Sequence, residues 1–158
     1  MAPRYGRAYG SEPAVSYAPY NKGNKITMIG AISITRVEAA MYGEWSANGE
    51  IFLHFLEHYL CPNLKPHHVV VMDNVGFHKI SGVKNLIDKT GAKLVYQPPY
   101  SPELNPIEEM WSKIKGSLRK LRARDLKKFQ QAIKTSFSCI NKSDLEGWYR
   151  HAGYGSAF

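Results

Sequence analysis

The stretch Val69-Val70-Val71-Met72-Asp73-Asn74 constrains the fold more than any other part of the chain. Four apolar side chains on consecutive positions leave no polar face. A strand built from them needs cover on both sides, as an internal parallel strand has. Parallel strands are joined by crossover helices, which places the chain among α/β proteins. The run ends abruptly in an acid. A carboxylate at the end of a rigid strand is well placed to share a hard divalent cation with a second one. An Asp-Asn pair is equally an ordinary turn at a strand end, and spacing alone leaves both readings open.

The flanking sequence supplies the other elements. Residues 1–24 carry Gly6, Gly10, Pro13, Pro19 and Gly23 among Tyr and Ser, the composition of an irregular N-terminal segment. Residues 25–36 are rich in Ile and Thr and read as a strand, with Glu38 to Trp45 as its antiparallel partner. A turn at Ala47-Asn48-Gly49 leads into a helix over residues 50–60, with Phe52, Phe55 and Leu56 on its buried face. A second helix over residues 79–90 ends at Gly91, a suitable C-cap, and Leu94-Val95-Tyr96 forms the next strand. Then Ile107, Trp111, Ile114, Leu118 and Leu121 recur at helical steps, as do Leu126, Phe129, Ile133 and Phe137, and a short helix covers residues 143–150. With 158 residues, 44% of them apolar, this is enough for one domain with an ordinary core.

A second acid, Glu108, follows Asn105 as N-cap and Pro106 as first helical residue. At the third helical position a Glu can reach back to the cap, and the helix dipole favours it there. On spacing alone that capping role is the better account. His78, five residues after Asp73, is either a locally satisfied helix-start residue or a neighbour of the acid site. Asn74 either orients Asp73 or only shapes the turn. Pro98, Pro99 and Pro102 stiffen the approach to the helix. Beyond Glu108, Lys113, Lys115, Arg119, Lys120, Arg122, Arg124, Lys127 and Lys128 surround one acid, Asp125. With a net charge of +8 this cluster suits an anionic partner, nucleic acid first, although charge runs are often only solvated helix faces. Cys61 and Cys139 lack zinc spacing and read as free thiols of a reducing compartment. No apolar signal core or membrane-length run is present, so a cytoplasmic protein without membrane contact is expected.

Asp73-Asn74 followed by His78, and then Pro98-Pro99-Tyr100-Ser101-Pro102-Glu103-Leu104-Asn105-Pro106-Ile107-Glu108 and Trp111, resembles the catalytic domain of bacterial insertion-sequence transposases of the mariner superfamily. These are DDE enzymes with a ribonuclease-H-like fold, a mixed sheet flanked by helices. Tyr5-Gly6-Arg7-Ala8, Met28-Ile29-Gly30-Ala31-Ile32-Ser33 and Gly147-Trp148-Tyr149-Arg150-His151-Ala152-Gly153-Tyr154 extend the resemblance over nearly the whole chain. It implies metal-dependent DNA cleavage and strand transfer in the complete enzyme, with two magnesium or manganese ions. Asp73 and Glu108, not Glu109, take the catalytic and metal-ligand positions, with Asn74 and His78 auxiliary and Lys113, Lys115, Arg119, Lys120, Arg122 and Arg124 on DNA. The partners implied are transposon-end and target DNA, a homo-oligomer of the complete enzyme, and a bacterial cytosolic setting. In that family the first strand lies at the centre of the sheet and ends in the first catalytic Asp. Here Met1 falls after it, so residues 25–158 are expected to form a truncated DDE domain lacking its central strand. An upstream transposase fragment would then supply that strand. Alone, the chain is expected to cut little or no DNA; the rival reading is an inactive, DNA-binding remnant of a transposase.

Overall fold

The computed structural model describes residues 26–121 and 126–155, Leu126 by its backbone only. The expected irregular segment 1–24 lies outside them. Strands β1 (Thr27–Ile32) and β2 (Val37–Gly43) form an antiparallel hairpin with Met28 opposite Tyr42 and Gly30 opposite Ala40. The sequence reading carried the first strand on to Arg36, whereas the chain turns after Ile32. The Ser33 hydroxyl accepts from the backbone N–H groups of Thr35 and Arg36, both at 3.2 Å, and the Ser33 N–H donates to the Arg36 carbonyl at 2.9 Å. A serine that bonds its own neighbours closes a turn and overrides the strand preference of Ile34 and Thr35.

Asn48 caps helix α1 (Gly49–Phe55) by accepting from the Ile51 N–H at 2.9 Å. The helix widens through Leu56–Leu60 and tightens at Cys61–Asn63. Strand β3 (Val69–Met72) runs parallel to β4 (Lys93–Tyr96), with helix α2 (Ser81–Lys89) as the crossover. Gly91 has φ +77°, and a Cβ there would lie 3.1 Å from Pro66, so the C-cap read from the sequence admits glycine on both counts. Helices α3 (Ile107–Leu121), α4 (Leu126–Ser138) and α5 (Lys142–Tyr149) follow, the last continuing into a wide turn at Arg150–Tyr154. The Tyr149 hydroxyl donates to the Ile32 carbonyl at 2.9 Å and ties this C-terminal end to β1. Burial, reinforced by Tyr154 and Glu38, pushes its pKa up to about 12.

Two apolar clusters hold these elements. Phe52, Phe55, Leu56, Val83 and Ile87 pack with Met72 and Val70 between α1, α2 and β3. Met110, Ile114 and Leu118 of α3 meet Ala132 and Ile133 of α4, with Trp111 alongside. Burying each large side chain of this kind is worth about 1.5–3 kcal/mol. The innermost row of α3 is therefore 110-114-118; Leu121, expected on the buried face, lies past the last core layer and is exposed. Trp111 instead passes beneath the hairpin, and a Cβ on Gly30 would sit 3.1 Å from its ring. None of the described helices is long and apolar enough to cross a membrane.

The expectation of cover on both faces of β3 needs correction. Val69 is 57% and Val71 42% exposed, although Val70 and Met72 join the core. Among the described residues β1–β2 and β3–β4 are two separate two-stranded sheets rather than one mixed sheet. A largely apolar groove of about 750 Å³ lies between them, lined by residues 28–32 of β1 and by every residue of β3. An apolar run states that cover is wanted; the neighbour that provides it is a long-range matter.

Candidate active site

Asp73 leaves the C-terminal end of β3 and enters a tight turn at Gly76–His78. Its Oδ1 accepts from the Val75 N–H at 3.3 Å and meets His78 Nδ1 at 2.5 Å. The His78 side chain is only 17% exposed, its ring against Phe52 at 4.1 Å and Phe77 at 4.6 Å between centroids. The Tyr96 hydroxyl donates to the His78 carbonyl at 2.7 Å. A clamped imidazole thus fixes the carboxylate through one oxygen. No hydrogen bond among the described residues falls on Oδ2.

Glu108 stands in the first turn of α3, and it lines the same cleft as Asp73, of about 430 Å³. The capping alternative is not realised. The Glu108 N–H donates to the Asn105 carbonyl at 3.1 Å, and the Asn105 N–H is already taken by the Pro102 carbonyl at 3.0 Å. A carboxylate reaching back would find no donor free. Among the described residues the Glu108 side chain makes no hydrogen bond or ion pair. Gln97, which the sequence reading passed over, joins the two acid-bearing elements. It is 7% exposed; its N–H donates to the Met72 carbonyl at 2.8 Å and its Nε2 to the Leu104 carbonyl at 2.6 Å. The end of β3 and the turn before α3 are held together by this one residue. Its signal was a polar residue immediately after an apolar strand.

Residues 2–130 match the family described as DDE superfamily endonuclease. The chain belongs to that superfamily. Solved structures agree in fold: the Mos1 strand transfer complex matches with a TM-score of 0.75 at 18% identity, over 96% of this chain and 46% of that one. A Mos1 transposase paired-end complex with the left transposon end gives 0.76 at 17% identity, over 96% and 47%. A Mos1 mariner paired-end complex with Mn gives 0.73 at 14% identity, over 96% and 47%. The chain spans about half the length of these relatives. Among curated proteins none is a significant match. The small sheets flanked by helices are the ribonuclease-H-like fold that the sequence led us to expect.

In this DDE domain the cleft offers two hard oxygen donors, the carboxylates of Asp73 and Glu108, while Asn74, also in its lining, keeps Oδ1 buried without a hydrogen-bond partner. Such a donor set suits magnesium or manganese in kind, and not zinc. Among the described residues no three His, Cys, Asp or Glu side chains gather closely enough to hold an ion. Lys79, also overlooked in the sequence, lines the cleft beside the acids. Glu109 turns away to His151 at 3.1 Å, and Glu103 sits in the turn Pro102–Leu104. The basic cluster divides. Lys113 pairs with Asp144 of α5, which makes it a pin between helices. Lys115, Arg119 and Lys120 are exposed on α3, the first two one turn apart. Arg122 and Arg124 lie outside the described residues.

Proposed function

We propose that the chain is the larger, C-terminal part of a transposase catalytic domain that cuts and joins DNA with the help of divalent metal. The observation that carries this reading is that Asp73 and Glu108 line one cleft, with no hydrogen bond or ion pair on the Glu108 side chain among the described residues. A bound pair of magnesium or manganese ions would activate the attacking oxygen and stabilise the leaving oxygen of a phosphodiester. The residues around the acids have plainer tasks. His78 holds Asp73 in one orientation through Oδ1, which would leave Oδ2 free to hold a divalent cation. Gln97 keeps the spacing between the two acid-bearing elements. Lys115, Arg119 and Lys120, with Arg122 and Arg124 farther on, neutralise phosphates without reading bases.

The groove between β1 and β3 takes a strand from outside the described residues, pairing with both sheets and covering Val69 and Val71. An acid at the end of that strand would complete the metal site. The complete enzyme acts on transposon-end and target DNA as a homo-oligomer, in the bacterial cytosol. Titration calorimetry with manganese tests the core of this reading. Asp73→Ala combined with Glu108→Ala should abolish binding while DNA affinity stays within about twofold, because the phosphate contacts lie elsewhere. Unchanged manganese binding in the double variant would sink it. So would efficient cutting of transposon-end DNA by this chain alone, abolished by Asp73→Ala, as far as the added strand is concerned.

A further inference from the structure

Tyr100 is the one non-glycine residue with positive φ among those described, at +57°. Its side chain is fully exposed and makes no hydrogen bond or ring contact among the described residues. Left-handed backbone costs an L-residue other than Asn, Asp or Gly free energy that folding must recover elsewhere. Here no internal contact recovers it, and glycine would make the same turn without the cost. The segment is nevertheless stiff. Pro98 and Pro99 precede it, Pro102 follows, and the Ser101 hydroxyl donates to the Pro99 carbonyl at 3.3 Å. A rigid turn thus presents a bare aromatic ring on the rim of the cleft that holds Asp73, Glu108 and Lys79.

We infer that Tyr100 is a stacking platform for an unpaired nucleobase next to the phosphodiester that enters the acid cleft. The inference rests on the DNA reading above and deepens it. An aromatic face stacks on any base, so the contact needs no sequence and no hydrogen-bond partner. Lys79, the one cation lining the cleft among the described residues, meets a phosphate of the same strand and offsets the two carboxylates. The prolines fix the backbone from which the ring projects before DNA arrives, so only the side-chain torsions are left for binding to order.

A duplex with a short single-stranded tail carrying 2-aminopurine provides the test, with the 158-residue chain in magnesium. Wild type should bind with quenched 2-aminopurine fluorescence, as a stacked base gives. Tyr100→Ala should weaken binding by about tenfold to a hundredfold and abolish the quench, whereas Tyr100→Phe and Tyr100→Trp should keep both. Tyr100→Gly separates a backbone role from a ring role. It suits the turn better than tyrosine, so if the turn alone mattered it would bind at least as well as wild type. Wild-type affinity and quench in the glycine or alanine variant would overturn the platform while leaving DNA binding intact. Failure of wild type to bind the probe even at low salt would instead overturn the DNA reading, and the platform with it.

Discussion

Helix α3 is entered through Asn105-Pro106-Ile107-Glu108 and helix α5 through Asn141-Lys142-Ser143-Asp144. Both have an asparagine three residues ahead of an acid, the spacing of a reciprocal cap. At α5 the cap closes: the Asp144 N–H donates to Asn141 Oδ1 at 2.9 Å and the Asn141 N–H to Asp144 Oδ2 at 3.0 Å. Asp144 also grips Lys113. At α3 the backbone donors are satisfied by backbone carbonyls, because Asn105 closes the tight turn Pro102–Leu104 before the helix begins. One acid is used by the fold and the other is left over. An acid at a helix start becomes available for chemistry when the local backbone has already paired the groups it would cap.

The largest effect should come from exchanging the roles by mutation. Glu108→Gln should lower manganese affinity by about a hundredfold, since ligand charge sets the affinity of a hard-cation site. Its thermal unfolding should stay close to wild type. Asp144→Ala should do the reverse. Losing the reciprocal cap and the Lys113 contact costs about 1–2 kcal/mol. At about 2–4 °C for each kcal/mol this is readily seen in a melting curve, with manganese affinity unchanged. A melting drop for Glu108→Gln as large as that for Asp144→Ala would erase the contrast.

The asparagines give a smaller version of the same comparison. Asn141→Ala removes a side-chain cap and should cost about 1 kcal/mol in urea unfolding. Asn105→Ala removes a side chain that accepts nothing from the helix among the described residues, and should stay within about 0.5 kcal/mol. Equal costs at the two positions would show that Asn105 caps α3 in solution.

These helix starts also show how far the sequence could be read. Periodicity and turn chemistry placed the α/β order, the C-cap at Gly91 and the Ile114 and Leu118 positions of α3, because each depends on neighbours close in sequence; the first strand was carried too far and Met110 was missing from the α3 row. The apolar run and its terminal acid pointed to the cleft for the same reason. What escaped depends on partners far along the chain or on competition for one donor. Val69 and Val71 look internal and stand exposed, since their cover is not a local property. Asn105 has the right identity for a cap, but its N–H is engaged by Pro102. Gln97 and Tyr100 belong to no periodic pattern; one bridge across the fold and one unusual φ give them their places. Lys113 looked like one more member of a basic run until Asp144, 31 residues on, claimed it.

The smallest expected effect lies in the acid limb of stability. The Asn141 N–H, and after it Lys113, hold the Asp144 carboxyl below its ordinary value of 3.8, against a slight opposing effect of burial. A carboxyl whose pKa falls on folding stabilises the native state in full above its unfolded value. That contribution is lost as pH falls through the folded value, which here lies under 3.8. Asp144→Asn keeps an oxygen able to accept from the Asn141 N–H and removes only the charge. At neutral pH it should be less stable than wild type by at most about 1 kcal/mol, from the weakened cap and ion pair. Urea unfolding of the two proteins as a function of pH should therefore converge once pH drops below 3.8. A gap that persists undiminished well below 3.8 would mean that the difference does not come from the charge of Asp144.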